Sequence, residues 1–487
     1  MKICVSIVEE DVQRAAAAAV EASQGGADLV EVRFDLMPSL PHDLSAFKKL
    51  AVPKVATLRL ASQGGRYAGS ERARLEFYQL ALRSGFDMVD LELGSALLDR
   101  RDKELRDAGV ICSYHDLERT PPASEILHKL IEASSVEALP KAAFNVTRVQ
   151  DLLSIADAAR MFSSTEREFV LIGMGQLGEL TRLRADGLGC AFTYASLSKG
   201  KEAAPGQVDL GTMRRLSESR TLLGIIGDPL SHTKSPAMHE AAFAETGVPG
   251  RYLSFPLKTE ELEDFLQVAV EYDLRGFNVT IPHKESIIPL LDRLDPSADR
   301  VRAVNTVLIE SGEFIGHNTD VHGIEMTFKE SGIQPKGKRA LVVGAGGAAR
   351  ACCAFLSSAG AKVSVYNRTR EKAETLARSF RNCRATDLES ISIDEHDIII
   401  NCTPVGMKGF PDEMSVPPAA LREGQFVMDT VYNPPETRLL REAKARGAVV
   451  ANGERMLVHQ ALRSFELWTA KVPSYEVMAR AVREAMG

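Results

Sequence analysis

Short apolar runs recur along the first 210 positions, and amphipathic stretches at helical spacing separate them. The runs occupy residues 2–7, 28–34, 54–60, 87–93, 109–114, 139–146, 168–174 and 190–197. Stretches such as 11–23 and 70–84 carry the helical period between them. Apolar runs this continuous suit strands buried on both faces, which parallel sheets require. Eight such strand–helix units predict a (β/α)8 TIM barrel over residues 1–212. An active site is then expected where the strands end. The polar residues found there are Glu31, Arg33, Arg59, Glu92, His115 and Lys141, with Arg182 in the loop after the seventh strand.

A polar joint at 211–220 leads to a new strand at 222–226 and a second α/β pattern punctuated by Gly- and Pro-rich turns. Within it, residues 339–369 run strand, glycine-rich turn, helix, strand. Gly344 and Gly346 permit a sharp turn and a close approach to a pyrophosphate, with Ala345, Gly347 and Ala348 completing the cradle. The following helix offers free N–H groups to phosphate. The second strand ends in Asn367, Arg368 and Thr369, where an NAD-selective site would carry an acid. Arg368 suits a 2′-phosphate, so the expected cofactor is NADP(H). The predicted layout is a substrate domain of residues 222–322 closed by a helical tail at 455–487, with a Rossmann-type nucleotide domain at 323–454 between them.

Composition narrows the partners. A net charge of −7 gives no footprint for nucleic acid. Seven cysteines include no CxxC pair and there is no HExxH, so neither disulfides nor a metal site are expected. No apolar run reaches membrane-spanning length, and the start lacks signal-peptide anatomy, so a cytoplasmic protein acting on small molecules is expected. Oligomeric state is left open.

Two clusters carry candidate chemistry. Lys141 lies inside an apolar strand, where burial and neighbouring cations would favour an amine able to form an iminium, an electron sink for elimination next to a ketone. His115 ends the preceding strand and is placed to move a proton, while Arg33, Arg59 and Arg182 can clamp a carboxylate. In the second half, SHTKSPAMH, GFNVTIPHKE, AVNT and HNTD set small hydroxyl and amide residues beside Lys284 and Asp320. That combination suits a polyhydroxylated ring. Asp320 could alternatively be a helix N-cap, and His232, His239 and His283 read as structural.

Residues 222–487 resemble shikimate dehydrogenase through the GAGGAAR turn, the NRT strand end, NCTPVGM and NGERMLVHQA. The resemblance implies a catalytic Lys284–Asp320 pair, carboxylate binding by Thr233 and Ser235, and ring-hydroxyl contacts from Thr280, Asn305 and Gln460. It further implies cofactor contacts at Thr403, Val431 and Gly453. Residues 1–210 are similar to type I 3-dehydroquinate dehydratase through EVRFD, TLRLASQGGRY, SYHD, MGQLGELTR and APGQ. That resemblance implies a Schiff base on Lys141, acid–base work by His115, and substrate contacts from Glu31, Arg33, Arg59, Met174, Arg182 and Gln207. Gln63 and Ala203 depart from the family's usual Glu and Ser. Together the two parts imply a bifunctional shikimate-pathway enzyme, a lyase joined to an NADP-dependent oxidoreductase. The alternatives are a quinate-pathway fusion and a non-catalytic metabolite sensor.

Overall fold

In a computed structural model the described residues are 1–99, 105, 107–217, 220–388 and 392–486. They form two compact units, Met1–Arg220 with Glu260–Asp273, and Thr221–Thr259 with Leu274–Gly487. Glu218 and Ser219 of the expected joint, and Gly487 of the expected tail, lie outside the described residues. The start of that joint is helical (Leu210–Arg215). No helix among the described residues is long and apolar enough to cross a membrane.

The first unit is built on eight strands: β1 (Ile3–Ile7), β2 (Leu29–Arg33), β3 (Lys54–Thr57), β4 (Met88–Glu92), β5 (Gly109–Asp116), β6 (Leu139–Asn145), β7 (Val170–Met174) and β8 (Thr193–Ser196). All neighbours pair in parallel, in the order β7-β6-β5-β4-β3-β2-β1-β8. The barrel is nearly closed: β7 and β8 share no ladder, but Ala191 donates its N–H to the Phe169 carbonyl at 2.8 Å just before their starts. Every residue of β1, β3, β7 and β8 is buried, which explains why they read as continuous apolar runs.

One expected helix is replaced. After β2 the chain makes two short 3₁₀ turns, Phe34–Leu36 and Ser45–Phe47. Pro38 and Pro41 stand between them, and proline blocks a continuous helix there. Phe34 and Phe47 still pack edge to face, with ring centroids 6.2 Å apart. Helix Glu71–Arg83 begins where expected because the Ser70 side chain accepts the Ala73 N–H. Residues 260–273 also belong to this unit, and the buried Tyr272 hydroxyl donates to the Leu152 carbonyl at 2.9 Å.

The second unit contains two six-stranded sheets. The first comprises β9 (Thr221–Gly227), β10 (Gly250–Pro256), β11 (Leu274–Val279), β12 (Arg293–Leu294), β13 (Thr306–Glu310) and β14 (Glu313–His317), ordered β10-β9-β11-β13-β14-β12. β13 and β14 form a hairpin over the two-residue turn Ser311-Gly312, both with positive φ, as tight hairpins favour. Phe465, Trp468, Met478 and Val482 of the last two helices return to the core of this sheet. Trp468 donates from Nε1 to the Val307 carbonyl at 2.9 Å.

The other sheet comprises β15 (Arg339–Val343), β16 (Lys362–Tyr366), β17 (Cys383–Ala385), β18 (Ile398–Asn401), β19 (Phe426–Asp429) and β20 (Val449–Ala451). Its pairing is wholly parallel, and the order β17-β16-β15-β18-β19-β20 is that of a doubly wound nucleotide fold. The order reverses between β15 and β18, so a crevice for ligand opens at their carboxyl ends. Gly344 follows β15 with φ of 119°, and a Cβ there would lie 2.9 Å from the Cys402 carbonyl oxygen. Both the backbone angle and the neighbour exclude a side chain. Gly344→Ala is expected to destabilise the second unit by roughly 1–3 kcal/mol, visible as a lower melting temperature together with weakened NADPH binding by titration.

Candidate active sites

Strand ends of the barrel bring the first cluster together. A small cavity of about 40 Å³ is lined by Glu31, Arg33, Arg59, His115, Lys141, Met174, Arg182 and Gln207, together with Ser6, Tyr194 and Ala203. All the barrel residues singled out from the sequence as ligands or acid–base groups therefore meet. Glu92 does not join them: it accepts the Leu60 N–H at 2.8 Å and pairs with the buried Arg74, holding strand to helix.

Lys141 is 3% exposed. Its Nζ donates to Asp90 Oδ2 at 2.9 Å and lies 3.6 Å from Glu31 Oε1. Two carboxylates therefore flank the nitrogen, where the sequence suggested apolar walls and cations. Asp90 also accepts from the Ser113 hydroxyl at 2.6 Å. Burial works to raise the Asp90 carboxyl, but Lys141 and Arg59 outweigh it and hold it far below the usual carboxylate range. Burial opposes ionisation of Glu31 as well, and there the Lys141, Arg59 and Arg33 charges again win. Ser6 and Thr57 donate to Glu31 at 2.9 and 3.0 Å.

Across the cavity, Arg33 is locked by two hydrogen bonds to Asp35, at 2.9 and 2.8 Å. Arg59 and Arg182 keep donors in reserve. Nε of each, and Nη2 of Arg59, are buried without a hydrogen-bond acceptor among the described residues, although Arg59 Nη2 lies 3.5 Å from Asp90. Burial lowers Arg182 to about 10, only partly offset by Glu179 and Tyr194. Unmatched buried donors call for an anionic ligand. Gln207 donates to Ser6 at 3.2 Å and accepts the Ala203 N–H at 2.7 Å. Its turn is pinned at Gly206, where a Cβ would meet the Gly175 carbonyl at 2.2 Å.

His115 is held by Gln63, the departure noted in the sequence. Gln63 Oε1 accepts the His115 backbone N–H at 3.0 Å and lies 3.2 Å from its Nδ1. An amide oxygen is an acceptor only, so the contact selects the tautomer protonated on Nδ1 and leaves Nε2 with a lone pair. Burial, then the Arg59 and Lys141 charges, push the imidazole well below its ordinary 6.5, against the pull of Asp90. These effects favour the neutral imidazole.

The second unit holds a larger cavity, about 360 Å³, lined by Thr233, Ser235, Thr280, Lys284, Asn305, Asp320, Ala348, Gly453 and Gln460. Lys284 Nζ donates to Asp320 Oδ2 at 2.5 Å. Asp320 is the first residue of helix Asp320–Glu330 and not its N-cap, which is Thr319. Its other oxygen accepts Asn305 Nδ2 at 2.9 Å, and the same amide lies 3.3 Å from Gln460 Oε1. The Thr233 hydroxyl donates to Ser235 Oγ at 3.2 Å. His283 is buried and bonded to the Leu257 carbonyl, His239 stacks on Tyr252 at 4.3 Å, and the exposed His232 sits on the cavity rim.

The residues expected to hold the nucleotide lie beyond the carboxyl ends of β15, β16, β18, β19 and β20. Gly347 opens helix Gly347–Ser358, and a Cβ on it would lie 3.2 Å from Lys284 Cδ, so this turn abuts the catalytic candidate. A Cβ on Gly346 would meet nothing within 4 Å, leaving the turn open to a phosphate. Arg368 is exposed after β16, and Asn367 donates to the Thr369 carbonyl at 2.9 Å. Thr403 is fixed by Asn401 at 2.6 Å, and the Val431 carbonyl accepts the Gly453 N–H at 3.0 Å. Of the predicted cofactor residues, Ala348 and Gly453 face the substrate cavity. Gly344, Ala345, Gly346, Gly347, Asn367, Arg368, Thr369, Thr403 and Val431 do not line it.

Asp90, Ser6 and Tyr194 were not singled out from the sequence, nor was Asn278, which lines the second cavity. Asp90 shares the VDLEL run with Glu92, two residues apart on one strand face, and nothing local separates an acid that meets a lysine from one that meets an arginine.

Comparison with known proteins covers nearly the whole chain. Residues 3–223 match the type I 3-dehydroquinase family, and 225–307 the shikimate dehydrogenase substrate binding domain. Residues 327–417 match the shikimate / quinate 5-dehydrogenase family, and 453–483 the shikimate 5′-dehydrogenase C-terminal domain. A shikimate dehydrogenase (NADP(+)) of Archaeoglobus fulgidus is 44% identical over 269 residues, covering 54% of this chain and 98% of that protein. The crystal structure of shikimate 5-dehydrogenase from Thermus thermophilus, in complex with NADP(H) and shikimate, aligns with a TM-score of 0.51 at 40% identity. It covers 54% of this chain and 99% of its own. A chloroplastic bifunctional 3-dehydroquinate dehydratase/shikimate dehydrogenase of Arabidopsis thaliana is 33% identical over an alignment spanning 96% of this chain and 82% of that protein. With both halves matched in order by one relative, the chain belongs to the bifunctional 3-dehydroquinate dehydratase/shikimate dehydrogenase family.

Proposed function

We propose that the chain carries out two successive reactions. The barrel dehydrates 3-dehydroquinate to 3-dehydroshikimate through a Schiff base on Lys141, and the second unit reduces 3-dehydroshikimate to shikimate with NADPH. The observation that carries this reading is a lysine set against a carboxylate in each of two separate cavities, Lys141 at 2.9 Å from Asp90 and Lys284 at 2.5 Å from Asp320. The three sheets, with the last two helices packed on the core of the first sheet of the second unit, support a division into 1–212, 222–322 with 455–487, and 323–454, save that residues 260–273 group with the barrel.

In the barrel, Lys141 supplies the amine that condenses with the ketone, making the adjacent C–H acidic. His115, neutral and holding a lone pair on Nε2, takes that proton and later returns it to the departing hydroxyl. Arg59 and Arg182 have unused buried donors for the substrate carboxylate. In the second unit Lys284 and Asp320 handle the proton at the ring oxygen. Asn305 fixes Asp320 and is itself met by Gln460, both face the hydroxyls, and Thr233 and Ser235 take the carboxylate. NADPH fits the residues present: the open turn at Gly346 accommodates its pyrophosphate and Arg368 its 2′-phosphate. When bound, it supplies the hydride.

Borohydride reduction in the presence of 3-dehydroquinate is expected to leave a mass adduct on Lys141. Lys141→Ala should lose dehydration by at least ~10³-fold while NADP-dependent shikimate oxidation persists; retained dehydration in that variant refutes the Schiff base. Asp320→Asn should reverse the pattern, cutting shikimate oxidation ~10²-fold or more with dehydration intact. Arg368→Ser is expected to cost ~10-fold or more in the preference for NADP over NAD, read from kcat/KM with each cofactor.

A pH dependence of stability follows from His115. The unfolded chain takes up a proton near pH 6.5, whereas the folded imidazole stays neutral to a lower pH. Its contribution is therefore fully present above about 6.5 and is lost as pH falls toward the folded value, with a slope of at most ~1.4 kcal/mol per pH unit. His115→Gln should flatten that part of the melting-temperature profile, and an unchanged slope would contradict a neutral buried imidazole.

A further inference from the structure

We propose that Tyr194 is a further substrate-contacting residue of the barrel site: its ring carries the charge on the Lys141 nitrogen, and its hydroxyl donates a hydrogen bond to an oxygen of the bound cyclic ketone. The proposal rests on the Schiff-base reading of Lys141 and adds a group that neither the motifs nor the family resemblance singled out.

Strand pairing turns the side chain inward. Tyr194 lies opposite Cys4 in the β1–β8 register, and both belong to the apolar cluster inside the barrel. The residue is 3% exposed and lines the same cavity as Lys141, His115 and Arg182. Lys141 Nζ sits 4.4 Å from the ring centroid, well inside the ~6 Å range of a cation–π contact. The phenol oxygen is buried and has no hydrogen-bond partner among the described residues. In the same cavity, Ser6, Gln207 and Glu31 are already bonded to one another, and the nearby charge of Asp90 is taken by Lys141 and Ser113. A buried hydroxyl left unpaired is costly, and within a ligand cavity the missing partner is the ligand.

Burial, followed by the Glu31, Cys4 and Asp90 groups, pushes the phenol well above its ordinary 10, so it remains protonated and able to donate. The substrate class named above is rich in acceptors: a ketone, hydroxyls and a carboxylate.

The ring contact has a consequence that the ion pairs lack. In iminium formation the amine nitrogen bonds to the carbonyl carbon and the C–O bond breaks. The oxygen leaves as water with both amine hydrogens, and one further proton leaves the C=N–H group cationic. The nitrogen thereby gives up two of the three N–H donors of its ammonium form, so it can no longer satisfy Asp90 and Glu31 together. Attraction to a ring face needs charge and not donors, so it persists through the covalent stage.

The test compares Tyr194→Phe and Tyr194→Leu in the full chain by steady-state dehydration of 3-dehydroquinate, borohydride trapping with intact-mass readout, and melting temperature. Tyr194→Phe keeps the ring and is expected to raise KM about three- to tenfold with kcat within about twofold and full trapping at saturation. Tyr194→Leu removes the ring and is expected to lower kcat about tenfold or more and to reduce the trapped fraction. A wild-type KM in Tyr194→Phe, or wild-type kcat and trapping in Tyr194→Leu, overturns the proposal. So does a loss confined to melting temperature and active fraction with KM unchanged, which is what a packing residue would give. Absence of any Lys141 adduct in the unmodified chain counts against the Schiff base itself, while the Tyr194→Phe KM effect is read independently of trapping.

Discussion

A lysine nitrogen taken out of water must be met by charge or by ligand, and both active sites are organised by how they meet it. In the barrel Lys141 is set between Asp90 and Glu31. Those acids in turn need Arg59, Ser113, Ser6 and Thr57 as partners, because an isolated buried carboxylate is several kcal/mol out of favour. The result is a closed network spanning β1 to β6, and its unsatisfied members are the donors that face the cavity. In the second unit the same requirement is met more openly. The Lys284 side chain is 20% exposed, and the acid it meets, Asp320, is shared with Asn305 and through it with Gln460.

The difference in burial suits the difference in chemistry. A covalent step at nitrogen needs a site that excludes bulk water, and the His115 imidazole beside it is pushed toward its neutral form by burial and by cations, with Gln63 setting the tautomer. A neutral glutamine at this place orients the ring without adding a negative charge that would favour the imidazolium. The dehydrogenase site must admit a large cofactor beside its substrate, and its cavity is correspondingly larger and adjoins the Gly344–Gly347 turn.

Much of the architecture was legible along the chain. Parallel strands buried on both faces leave continuous apolar runs, so all eight barrel strands could be located. The glycine pattern after β15 is readable because only glycine tolerates a φ of 119° under the Cys402 carbonyl. Less legible was the segment after β2, where prolines replaced a helix by two 3₁₀ turns. The barrel's seam, closed by an Ala191–Phe169 bond and not by a β7–β8 ladder, depends on sheet geometry that no local pattern carries.

Within the sites the division is sharper. Residue types and order along the chain pointed to Lys141, His115, Lys284 and Asp320, because Lys141 stands inside an apolar strand, His115 near the end of the preceding one, and Lys284 and Asp320 in polar segments that follow apolar runs. Tertiary structure alone decided which acid meets which base. Asp90 and Glu92 share one strand face, yet the first reaches Lys141 from 51 positions away and the second is consumed by Arg74. Tyr194 looked like any apolar strand residue until closure of the barrel laid its ring against a lysine from β6. Strand periodicity is local and survives in the sequence, whereas pairing across a barrel depends on register and closure, which exist only once the chain has folded.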